Sequence, residues 1–284
     1  MRLSLAKFAI RNSAALALAC LPAAVSSHAQ VTMSSQYAPV TWEIGYRDVE
    51  MQVMTDAQRR GIDRKEENAF KAFYNQKDEL DKKIQLGQAF LQKYPKSPLA
   101  EVVDARLVNA YVAKQDWKSV FASADSALAL KPDDVDVLTT LGWVIPHLYQ
   151  AEDPNGSAEL DKAEAYEKHA MEVMATMPKP FGVSDAEFAA AKEQKSSQAH
   201  SALGLVCFRR ADYANSAREL EQAMQGNPNP DATDLYVFGM DLQKLQRYQE
   251  ATDAFNRCAQ AAGALEDACK QNAAVAKRQS AQSK

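Results

Sequence analysis

The chain has 284 residues, 25% of them charged, with 33 Lys and Arg against 37 Asp and Glu and a formal net charge of −4. An acidic balance without a basic block argues against nucleic acid, whose binding rests on Lys and Arg neutralising phosphates, and equally against an anionic membrane surface. Glycine is scarce, Ala, Leu, Gln, Lys and Glu dominate, and no convincing run of alternating β-branched residues is present, so an all-α protein is expected.

Arg2, Lys7 and Arg11 make a positive start, Ser13 to Ala24 is almost wholly apolar, and Ser27-His28-Ala29 places small residues where a signal peptidase reads. Residues 1–29 therefore read as a signal peptide cleaved after Ala29, and the chain as exported, periplasmic or secreted. An uncleaved anchor is disfavoured, because a span needs about 20 apolar residues and Pro22 interrupts this run. Cys20 follows Leu18-Ala19, but Ala17 stands where a lipobox wants a branched aliphatic residue, so a lipoprotein is not expected. Cleavage removes three positive charges and leaves −7. No later segment is apolar and long enough to cross a bilayer, so the mature chain is expected to have no membrane span.

Residues 30–63 read as a flexible leader and a weakly structured N-terminal segment, with a helix start near Met54 to Ala57 capped by Thr55 or Asp56. From about Glu66, amphipathic stretches alternate with short breaks, and windows 101–134, 197–230 and 232–265 are self-similar. Position seven holds Leu107, Leu203 and Phe238; position eight, Val108, Gly204 and Gly239; position eleven, Tyr111, Cys207 and Leu242. Position seventeen holds Trp117, Tyr213 and Tyr248, and position twenty-four Ala124, Leu220 and Phe255. Pro132 and Pro228 follow at position thirty-two. Seven and eleven share a face of a first helix, and twenty, twenty-four and twenty-seven a face of a second. Small residues at eight let the two approach, and proline at thirty-two stops the second helix.

This register resembles the tetratricopeptide repeat, whose period is about 34 residues. The resemblance is partial for 135–178, where Leu138, Leu141 and Gly142 start well but a loop insertion at 150–156 delays the second helix to Gly156–Met177. A degenerate unit is placed at 64–97, with Gly87 out of register. The resemblance implies a solenoid of antiparallel hairpins, four to five units plus a C-terminal capping helix, across 64–275, followed by a disordered tail at 276–284. A linker at 179–185 and the insertion leave open a division into halves, roughly 64–178 and 186–275.

Cys258 and Cys269 flank the break at Gly263, and such a hairpin brings two cysteines within disulfide range in an oxidising compartment; the alternative is two buried, reduced thiols. Cys207 at a repeat core position reads as a buried thiol. His200 and Cys207 share a helix face, but two ligands are too few for a zinc site, and no metal or cofactor is expected. No HExxH, GxSxG, P-loop or dinucleotide fingerprint occurs, so no catalytic residues are assigned and the chain is not expected to be an enzyme.

In the family that the chain resembles, positions two, five, nine, twelve and thirteen of each unit line a peptide-binding groove. Carried over, these are Asn109 and Val112, then Thr139, Trp143 and His147, then Ser201, Leu205, Phe208 and Arg209, then Tyr236, Met240 and Lys244. Trp143, Phe208 and Tyr236 stand out, since rigid aromatics dominate interface energy. Some members clamp a C-terminal carboxylate with Lys at five and Asn at nine of the first unit. Asn109 fits, but Ala105 replaces the lysine, so that clamp is not expected. The resemblance implies a non-catalytic scaffold for a protein or peptide partner. The alternatives are a structural subunit docking through its convex face or leader, and an enzyme without a familiar motif.

Overall fold

The computed structural model describes residues 61–179, 183–225, 227, 229–261 and 263–282. The signal segment and most of the leader, including the helix start at 54–57, lie outside the described residues. Among the described residues there are eleven helices and no strand. They are α1 Arg64–Tyr74, α2 Leu80–Lys93, α3 Ala100–Lys114, α4 Trp117–Leu130, α5 Val135–Leu148, α6 Gly156–Thr176, α7 Asp185–Arg209, α8 Tyr213–Met224, α9 Ala232–Lys244, α10 Tyr248–Gln260 and α11 Glu266–Gln282. Helices adjacent in sequence pack in pairs, the closest being α3 on α4, α5 on α6, α7 on α8, α9 on α10 and α10 on α11.

Three of these pairs are joined by one turn. Gln115, Ala211 and Gln246 have φ of 55°, 60° and 61°, and they are the non-glycine residues in the left-handed region among those described. Each is the fifteenth residue of its window. In each turn the next amide bonds back to the eleventh carbonyl: Asp116 N to Tyr111 O at 3.0 Å, Asp212 N to Cys207 O at 2.9 Å, and Arg247 N to Leu242 O at 2.8 Å. That reversal satisfies a carbonyl which a helix end leaves without a partner. Asp116 and Asp212 then cap the following helix, accepting from Ser119 N and Asn215 N.

The hairpins close on a small-against-large contact. A Cβ on Gly204 would lie 2.7 Å from the Leu220 side chain, and one on Gly239 2.7 Å from the Phe255 ring. These are positions eight and twenty-four. In the 101–134 window the sizes are reversed, with Val108 and Ala124 both completely buried in one cluster. Gly87 serves a different contact, since a Cβ there would meet Leu107 and Phe73.

Helix α7 begins at Asp185, where the linker expected at 179–185 ends and ahead of the 197–230 window, because Ser184 and Glu187 form a reciprocal capping box there. One element departs from its expected bounds. The tail expected to be disordered from 276 is helical to Gln282. Ala273 and Ala276 are 6% and 0% exposed, and Gln279 accepts a hydrogen bond from Gln243 on α9. The Cys258–Cys269 disulfide ties this helix to α10, with the two Cα atoms 5.8 Å apart.

Helix α7 belongs to two cores. Val206 packs in the cluster built from α1 to α6, whereas Leu205 and Phe208 pack in the cluster built from α8 to α11.

Two substitutions check this packing. Gly239→Ala should cost about 1–3 kcal/mol by forcing the enclosed Phe255 ring aside, while Gly263→Ala, whose Cβ meets nothing within 4 Å, should change stability by less than about 0.5 kcal/mol. Ala211→Gly should raise stability by up to about 1 kcal/mol by removing left-handed strain. Urea unfolding of the three variants reads out both.

Candidate functional site

The first-helix face carried over from the sequence divides in the structure into an accessible part and a buried part. Trp143 and His147 lie one turn apart on α5, both partly buried, with ring centroids 4.2 Å apart. His147 Nδ1 is 2.7 Å from the Trp143 carbonyl. A carbonyl only accepts, so Nδ1 carries the proton and Nε2 is left as an acceptor. Burial pushes the His147 pKa down to about 4, and the Arg209 charge adds to this, so the ring is neutral near pH 7. Arg209 comes from the end of α7, where its Nε donates to Pro146 O at 3.1 Å and its guanidinium lies 5.8 Å from the Tyr149 ring centre. That carbonyl is free because it falls in the last turn of α5.

Phe208, next to Arg209, meets Tyr213 edge-on with centroids 6.1 Å apart, and the exposed Lys244 lies 5.9 Å from the same Tyr213 ring. Asn109 is partly buried on α3, one hairpin away from the Trp143 cluster.

Several positions expected to line a groove are core instead. Tyr236 is 1% exposed, packs edge-on against Phe255, and its hydroxyl accepts from Asn272 of α11. Leu205, Phe208 and Met240 are buried with it in one cluster. The cause is close packing of α9 with α8 and α10, and side chains of α11 that reach back to α9. Val112 is buried in the N-terminal cluster. Ser201 donates to Asp234 Oδ1 at 2.6 Å and Thr139 to Val135 O at 2.8 Å, so both serve internal links.

The sequence reading missed the buried charges. Lys195, 1% exposed on α7, pairs with Asp136 of α5 at 2.6 Å. Glu167 of α6 is completely buried, and neither carboxyl oxygen has a hydrogen-bond partner. The signal was present at Gly142, the eighth position of its unit: a Cβ there would collide with the Glu167 carboxyl, so Glu167 stands where Leu220 and Phe255 stand in later hairpins. The insertion hides that correspondence. A shallow cleft between α6 and α7 is lined by Met171, Met174, Ala175, Lys192, Glu193 and Ser196.

Asp241 is a second buried carboxyl, 0% exposed, with its pKa pushed up to about 8 by burial. Ser216 Oγ lies 2.8 Å from Gly204 O and 2.6 Å from Asp241 Oδ2. One hydroxyl proton does not serve two acceptors, and a proton on Asp241 satisfies the second contact. Burial also raises Asp104 to about 6 and the Cys207 thiol to about 11, which keeps that thiol a poor nucleophile near neutral pH. His200 bonds to Glu219 at 2.8 Å. Among the described residues no group of three or more His, Cys, Asp or Glu is placed to hold a metal ion, and no helix is long and apolar enough to cross a membrane.

No family model matches the sequence, and no curated protein matches it significantly.

Asp241 makes stability depend on pH. Its folded value, about 8, exceeds the ordinary 3.8, so its stabilisation is complete below about 4 and is lost as pH rises toward 8. Asp241→Asn should therefore flatten the decline in unfolding free energy between pH 5 and 8.5 and be more stable than the parent at the alkaline end. Urea unfolding at four pH values in that range checks it.

Proposed function

We propose that these helices form a tetratricopeptide-type array and that the chain acts, after export, as a non-catalytic scaffold holding a segment of another protein. The repeat assignment is supported by the common turn at position fifteen and the paired sizes at eight and twenty-four, which recur at the spacing read from the sequence. Export is supported by the charge and apolar pattern of residues 1–29, and the Cys258–Cys269 bond suits an oxidising compartment.

The observation that carries the binding role is the Trp143–His147–Arg209 cluster, where the ends of two first helices meet. A Trp face supplies rigid apolar area and Arg supplies directional donors, the two residue types most enriched where binding energy concentrates. Neutral His147 offers Nε2 as an acceptor for a peptide N–H, and its charge state stays fixed above about pH 5 because its pKa lies near 4. Asn109 and Lys244 would extend the contact to either side.

Crosslinking and pull-down from the native cell envelope should capture a defined partner with the parent chain and with Lys118→Ala on the exposed side of α4. Trp143→Ala with His147→Ala, folded by circular dichroism, should lose at least about tenfold in recovery, the effect of one hot spot of about 1.4 kcal/mol or more. Equal capture by the double variant would place recognition elsewhere on the chain.

A further inference from the structure

The hairpin contacts provide an internal comparison. Leu220, Phe255 and Glu167 occupy the same place against Gly204, Gly239 and Gly142, and are 1%, 0% and 0% exposed. An apolar side chain suits that place. A carboxyl there gives up its water, and Glu167 Oε1 and Oε2 gain no hydrogen-bond partner in exchange. Its surroundings are specific. Helix α7 contributes Lys195, whose ammonium is 2.6 Å from Asp136 Oδ1 and 3.5 Å from Thr139 Oγ1. Helix α5 contributes Asp136 and the bare backbone of Gly142. On α6 itself Glu164 pairs with Lys168, and His169 bonds to Asp133, all toward the surface. Lys192 and Glu193 line the cleft between α6 and α7.

The cluster thus holds one cation, one carboxylate already paired with it, and one carboxyl that has no cation of its own. We propose that it is a proton-operated joint: α6 is locked against α5 and α7 while Glu167 carries its proton, and transfer of that proton to water loosens α6. Ionisation would leave two carboxylates around a single buried ammonium, and an unpaired buried charge is far more costly than a buried neutral acid. Burial raises the Glu167 pKa well above its ordinary 4.5, and only the Lys195 charge acts against this. The sign follows: the stabilisation is complete below about 4.5 and is lost as pH climbs through the raised folded value. The joint packs against α5, the helix that carries Trp143 and His147, but it stands independently of any partner.

Amide hydrogen exchange of the full chain at pH 6 and pH 9 tests it, in an Asp241→Asn background because Asp241 acts in the same direction. After correction for intrinsic base catalysis, protection of α6 should fall about tenfold or more, while α9 and α10 change little. Glu167→Gln should abolish the fall, and Glu167→Leu should abolish it and raise α6 protection at both pH values. A fall that persists in Glu167→Gln, or no fall specific to α6, overturns the joint. Should either variant fail to fold, the carboxyl 13C shift of Glu167 decides: titration in step with lost α6 protection supports the joint, and a carboxylate already charged at pH 6 ends it.

Discussion

Each hairpin depends on how near its two helices come at one crossing. Where the first helix has glycine, a large second-helix side chain lies directly on its backbone, as Leu220 does on Gly204 and Phe255 on Gly239. Where the first helix has Val108, the second answers with Ala124. The combined volume is what matters, and close packing leaves little tolerance for changing one member alone. That separation in turn permits a reversal of only two or three residues between the helices, with a left-handed backbone at Gln115, Ala211 and Gln246. Local strain at three turns is offset by contacts made along the whole length of each pair.

Much of this was legible in the sequence. The apolar register, the aromatic that opens each second helix and the late prolines located α3 to α10 within a few residues. The turns were less legible because no glycine marks position fifteen; Gln, Ala and Gln adopt the left-handed region there under tertiary constraint. Helical periodicity also assigns a residue to a face without saying what covers that face. Tyr236 and Met240 fell on the face expected to be open, yet α9 is packed among α8 and α10 and met by α11. The same limit applies at the C-terminus, where alanines such as Ala273 and Ala276 look like a solvated run until a neighbouring helix is known to lie against them.

The buried polar groups mark where sequence and packing pull apart. Leucine at Glu167 or at Asp241 would suit the local pattern better, and retaining acids there lowers stability above neutral pH. Both acids are placed where three helices meet: Asp241 with Ser216 and Gly204 joins α7, α8 and α9, and Glu167 with Lys195 and Gly142 joins α5, α6 and α7. At Asp241 the contact with Ser216 has a fixed geometry, which constrains helix register more tightly than interchangeable apolar contacts do.

Stacked hairpins ordinarily melt like a row of beads, each held only by its nearest neighbours, so that ends fray first and the middle outlasts them. Helix α7 changes that behaviour. With Val206 committed to one core and Leu205 and Phe208 to the other, neither core can dissolve without stripping a wall from its neighbour. The two cores are therefore thermodynamically coupled, and fraying from the N-terminal side has to stop at α7 or continue through it to complete unfolding. At the opposite end the disulfide closes off the other route for fraying. The described helices thereby form a short array whose two cores share a wall.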